Sequence, residues 1–170
     1  MALREILTYP DERLRTPAEP VAEVNDEIRR LVEDMAETMY AAEGVGLAAN
    51  QIGVLKRIFV IDIAGEDEPS DLKVFINPEI LEAEGTQSFS EGCLSFPGAR
   101  EDIKRAESVH VRALDANGES FELHATGLLA VAIQHENDHI NGVLMIDKVG
   151  AIARRKIGRQ MARIRQEATA

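Results

Sequence analysis

The chain has 170 residues, 45% hydrophobic, 29% charged and 4% aromatic, with a formal net charge of -11 and one cysteine. That length and balance fit one soluble domain over residues 1–170 with an aliphatic core, and they exclude a largely disordered chain. The negative charge disfavours general nucleic-acid binding. No apolar run approaches the roughly 20 residues of a membrane helix, and a lone cysteine cannot form an internal disulfide, so a cytoplasmic protein without a membrane anchor is expected.

Residues 1–24 read as largely irregular, with a turn or short helix start at Pro10-Asp11-Glu12. Asn25 is an N-cap candidate for a helix running to about Glu43, because Ile28, Leu31, Val32, Met35, Met39 and Ala42 recur at helical spacing. Gly44 and Gly46 end it. Arg57 to Ile63 is a β-branched run that reads as a strand covered on both faces, and Gly65 to Asp71 reads as an acidic surface loop. Lys73–Ile76 and Ile80–Phe89 read as two further strands joined by a turn at Asn77-Pro78, followed by a shaped loop over Ser90–Gly98. Ser108–Leu114 and the run around Phe121 and Leu123 alternate about Asn117-Gly118, which predicts a hairpin. A helix is expected from Thr126 or Gly127 to about Asn141, stopped by Gly142, and a last one over about 149–166.

Chemistry concentrates in Gln134-His135-Glu136-Asn137-Asp138-His139. On a helix, residues i and i+4 share a face, so His135 and His139 can reach one metal ion with Glu136 beside it. The apolar run Leu128 to Ile133 marks this helix as buried, and buried histidines and acids need partners, which a metal supplies. A catalytic site of this kind usually has three protein ligands and an open position for water. His110 and His124 fall in the polar phase of their strands and read as solvent-exposed. Cys93, beside Gly92, is either the third ligand or a small buried thiol, and spacing leaves that choice open. Gly44-Val45-Gly46-Leu47-Ala48-Ala49-Asn50-Gln51 lacks the lysine of a phosphate-binding loop, and its Gln51 needs hydrogen-bond partners if buried.

Three segments in this order, Gly-Val-Gly-Leu-Ala-Ala-Asn-Gln, Glu-Gly-Cys-Leu-Ser and Gln-His-Glu-Asn-Asp-His, together resemble the bacterial peptide deformylase family; Tyr9-Pro10-Asp11 and Gly127-Leu128-Leu129-Ala130 are also similar to it. The resemblance implies an α+β fold, with small antiparallel or mixed sheets around a central metal-binding helix and with N-terminal and C-terminal helices. It further implies removal of the formyl group from the formyl-methionine end of nascent proteins. Cys93, His135 and His139 would hold one divalent ion, Glu136 would act as general base and then acid, and Gln51 and the Leu94 N–H would face the oxyanion. Backbone near Gly46 and Gly92 would hold the peptide, Val45, Phe89, Leu128, Val131 and Ala132 would surround the methionine, and Glu91 and Arg100 would stand at the rim.

The family resembled uses ferrous iron, with nickel or cobalt as active replacements, while affinity order favours zinc. Phe96 and Ala132 depart from the family's frequent smaller aliphatic and cysteine, respectively, which bears on pocket shape. The segment Ala151–Ala170 holds six basic residues and one acid, leaving -16 on the rest. This basic helix reads as a solvated face or as a dock for ribosomal RNA. A monomer is expected. Two other readings, a general zinc peptidase and a non-catalytic metal-stabilised ribosome-binding module, would not require Cys93 with Gln51 and would not require Glu136, respectively.

Overall fold

The computed structural model describes residues 2–169; Met1 and Ala170, the ends of the expected domain, lie outside the described residues. Helix α1 spans Asp26–Ala41, and the Asn25 side chain accepts from the Ile28 N–H at 3.0 Å, as an N-cap does. Strand β1 is Gly46–Ala48, followed by a 3-10 turn over Ala49–Ile52. Strands β2 (Ile58–Ile61), β3 (Lys73–Glu84), β4 (Gln87–Cys93), β5 (Phe96–Arg105), β6 (Ser108–Leu114) and β7 (Ser120–Thr126) follow. Helix α2 is Gly127–Ile140 and α3 is Ala151–Thr169.

The strands form an antiparallel five-stranded sheet in the order β1-β2-β3-β6-β7 and a separate β4-β5 hairpin. Alternation along β2 shows why the sheet is sandwiched. Phe59 and Ile61 pack with Ala132, Ile133 and Ile140 of α2, whereas Ile58 and Val60 pack with Leu31, Met35 and Met39 of α1. A third apolar cluster joins Ile157 and Met161 of α3 to Phe96, Ala99 and Ile103 of β5. The α+β architecture around a central helix is therefore the observed one.

Three local expectations are corrected. Asn77-Pro78 is a bulge within β3 rather than a turn between strands. Asn77 adopts φ 50°, its amide exchanges hydrogen bonds with the backbone of Val21, and pairing jumps from Ile76↔Leu114 to Glu79↔Arg112 past the proline that has no N–H to give. The chain instead turns at Gly85, φ 72°, which splits the run expected as one strand from Ile80 to Phe89. The Ser90–Gly98 loop is also mostly strand. It is the tip of the β4-β5 hairpin, with Leu94 and Ser95 as the tight turn.

Candidate metal centre and active site

Helix α2 carries His135, Glu136 and His139 on its buried side, at 8%, 4% and 1% exposure. The hairpin tip brings Cys93 to them, with its Sγ 3.3 Å from His139 Nε2. The ligand atoms of Cys93, His135 and His139 lie within 4.8 Å of one another, and among the described residues this is the one such cluster. His135 points Nδ1 at Glu91 Oε1, 2.9 Å away, which leaves Nε2 for a cation. One soft thiolate and two imidazoles arranged this way fit a divalent transition metal. His110 and His124 lie elsewhere, paired across β6 and β7, with His110 Nε2 3.0 Å from Glu122.

Protonation follows the same geometry. Burial alone would lower His135, but its hydrogen bonds with Cys93 and Glu91 and the nearby Glu136 charge hold it well above the ordinary histidine value. Burial, then the His135 and Arg105 charges, drive His139 well below that value. A metal takes neutral imidazole, so loading would release whatever proton His135 holds. Burial pushes the Glu136 carboxyl up to about 7, and Glu136 Oε1 and His139 Nδ1 have no hydrogen-bond partner among the described residues. A carboxyl poised there suits proton transfer near neutral pH, and a bound divalent cation would oppose the upward shift.

Gln51, 1% exposed, finds the partners its burial demands. Its Oε1 accepts from the Ala48 N–H at 2.9 Å, and its Nε2 donates to Ser95 Oγ at 3.0 Å and lies 3.7 Å from Cys93 Sγ. Gln51, Cys93, Leu94, His135 and Glu136 line a cavity of about 580 Å³, as do Val45, Gly46, Phe89, Gly92, Arg100, Leu128, Val131 and Ala132. Val45 and Leu128 remain 49% and 45% exposed at the mouth.

A model of the polypeptide deformylase family matches residues 3–155. The chain belongs to that family. It is 51% identical over 164 residues to a peptide deformylase of Alkalilimnicola ehrlichii, spanning 96% of this chain and 92% of that protein. A crystal structure of a peptide deformylase from Legionella pneumophila superposes with a TM-score of 0.93 at 46% identity, covering 99% and 98% of the two chains. Another, from Ehrlichia chaffeensis in complex with actinonin, gives 0.90 at 37% identity, covering 98% of each. At such identity over nearly its whole length, the chain is an enzyme of the peptide deformylase kind.

Glu91 lines the same cavity, with its carboxylate buried in a charge network. Its carboxylate is 6% exposed and forms two hydrogen bonds with Arg105, at 2.8 and 2.9 Å, as well as the contact to His135. Arg105 Nη1 continues to Asp138 Oδ2 at 2.7 Å. Burial would raise Glu91, but His135 and Arg105 outweigh it and keep the carboxyl below its ordinary value. Arg105 lies outside every motif of the sequence, whereas Ser95 and Gln134 fall inside two of them with no role assigned. Gln134 bridges α2 to Ala106 in both directions, at 2.9 and 3.0 Å. Arg105 carried a readable signal, because it falls in the same strand phase as buried Ile103.

Proposed function

We propose that this enzyme removes the formyl group from the N-terminal formyl-methionine of newly made proteins, releasing formate, and that it does so as a cytoplasmic monomer. The convergence of the Cys93/His135/His139 cluster with Glu136 and Gln51 in one largely apolar cavity carries the reading. When bound there, a divalent ion supplies Lewis acidity towards water and the formyl carbonyl. Iron is favoured as that ion by family habit; zinc, nickel and cobalt match the same donor set.

The chain's own groups then divide the work. Glu136 takes a proton from the attacking water and gives it to the leaving amine as the C–N bond breaks. The Gln51 carboxamide, held by Ala48 and Ser95, and the Leu94 N–H stand ready for the negative charge that grows on the formyl oxygen. The substrate backbone lies along β1 at Gly46, an edge strand paired with β2 alone, and along the β4 edge at Gly92. Val45, Phe89, Leu128, Val131 and Ala132 form the apolar wall for methionine. Arg100 stands at the mouth, tied to the Ser90 carbonyl at 2.8 Å. Because actinonin was bound by the Ehrlichia chaffeensis relative, we expect it to occupy this cavity too.

The deciding measurement is formate release from a formyl-methionine peptide by metal-loaded wild type and Glu136→Gln. Wild type should turn over, and the variant should lose roughly 10²- to 10⁴-fold while still binding metal. No formate from wild type would refute the function. The outward face of α3, with Arg155, Arg159 and Arg163 exposed while Ile157 and Met161 are buried, supports docking to ribosomal RNA as a second property of the same enzyme.

A further inference from the structure

The N-terminal segment before α1 has no part in the chemistry above, yet it touches the backbone of all three segments that form the site. The Leu7 N–H donates to the Gln51 carbonyl at 2.7 Å, and the Tyr9 N–H donates to the Ser95 carbonyl at 2.9 Å. The Asn50 side chain donates to the Thr16 carbonyl at 2.9 Å, and the Ala18 N–H donates to the carbonyl of Ile140, next to His139, at 2.8 Å. The Tyr9 ring also stacks on fully buried Phe96, with centroids 5.1 Å apart and planes 21° from parallel.

These contacts close a ring. Leu7 fixes the main chain of Gln51, Tyr9 fixes the main chain of Ser95, and Gln51 Nε2 donates to Ser95 Oγ. The two oxyanion donors come from different segments, since Gln51 ends the first and Leu94 stands one residue before Ser95 in the second. Their separation is therefore set by the Gln51–Ser95 contact and by whatever holds those two backbones. Preorganised donors stabilise a transition state only if they already stand where the charge develops, so a device that fixes their spacing acts on turnover.

We propose that residues 7–18 form a positioning strap that fixes the three site segments relative to one another, with Tyr9 as the positioning residue that sets the spacing between the Gln51 carboxamide and the Leu94 N–H. The inference rests on the proposed deformylase reaction. Its test compares Tyr9→Ala, which removes the stack, with Tyr9→Phe, which retains it.

In metal-loaded protein, Tyr9→Ala should lower kcat about tenfold or more with KM changed less than about threefold, and Tyr9→Phe should stay within about twofold of wild type. Metal content should equal that of wild type in both. Amide exchange at residues 49–52 and 93–96 should quicken about tenfold in Tyr9→Ala and not in Tyr9→Phe, with β7 unchanged. A Tyr9→Ala protein that melts earlier but keeps its kcat per folded, metal-loaded molecule would overturn the inference, as would a rise in KM alone. If wild type released no formate, the deformylase reading would fail separately. Unchanged exchange at both segments would then sink the strap on its own.

Discussion

Replacing Arg105 with methionine tests whether the buried charge network positions His135. Arg105 and Glu91 are each 5% exposed at the side chain, and Arg105 makes two hydrogen bonds to Glu91 and one to Asp138. Methionine keeps much of the buried volume but leaves the Glu91 carboxylate with only its contact to His135 among the described side chains. Breaking a buried pair from one side typically costs about 3 to 5 kcal/mol, because a charge is left without its partner. Asp138, 22% exposed, can turn to water, so its lost bond adds little. For a chain of this size that loss lowers the melting temperature by roughly 6 to 20 °C. Metal affinity should fall about 10- to 100-fold as His135 loses a fixed partner on Nδ1. Urea unfolding of metal-free protein and competitive metal titration give the two numbers. The exposed pair Arg112–Glu79, 3.0 Å apart, is the control, and Arg112→Met should change stability by no more than about 1 kcal/mol. A loss below about 1 kcal/mol in Arg105→Met, with unaltered metal affinity, would refute the reasoning.

A Cβ added at Gly46 would stand 2.6 Å from Glu136 Oε2. Gly46→Ala should therefore displace the proposed base and lower turnover by about 10²-fold, with little change in unfolding free energy; full turnover would show that the carboxylate can shift without loss. Asp62, 6% exposed, accepts from the Tyr40 hydroxyl at 2.7 Å and from the N–H groups of Ala64 and Asp71 at 2.9 and 3.0 Å. Burial would raise its carboxyl, but these donors hold it below the ordinary value, so its stabilisation is complete above about pH 4 and is lost as pH falls through the lowered folded value. Asp62→Asn should thus be about 1 to 2 kcal/mol less stable than wild type at pH 7, and the gap should close in acid; a gap independent of pH would contradict the assignment. Reversing Arg155, Arg159 and Arg163 to glutamate should weaken salt-sensitive ribosome binding while sparing hydrolysis of a short formyl-peptide, as measured by cosedimentation at two salt concentrations.

Elements with local causes were legible in the sequence. Asn25 with the Ile28/Leu31/Met35 spacing located α1, Asn117-Gly118 located the β6-β7 hairpin, and the apolar lead-in to His135 marked α2 as buried. Asn77-Pro78 misled because its turn chemistry is real but is satisfied elsewhere. The Asn77 amide binds Val21, 56 residues away, and no local pattern encodes that partner. Cys93 shows the same limit at the site itself, since 42 residues separate it from Gln51 and 46 from His139. Spacing could offer it as a ligand but could not exclude a buried thiol, and the choice rested on family resemblance.

The missed Glu91–Arg105 pair is different, because physics alone had nearly enough to find it. Glu91 shares the strand phase of Phe89, and Arg105 that of Ile103, so each charge sits where its strand alternation calls for an apolar side chain. A charge in that position must be paired, since a lone buried ion costs more than a fold of this size can spare. Two opposite charges so placed, on the two strands of one hairpin, form a pair. A pair buried beside a histidine of a proposed metal site implies an orienting role for that histidine. Two gaps blocked that inference: Ser90–Gly98 read as a loop and no element was expected from there to Ser108, so neither Glu91 nor Arg105 had a strand phase, and the place of Glu91 rested on resemblance alone.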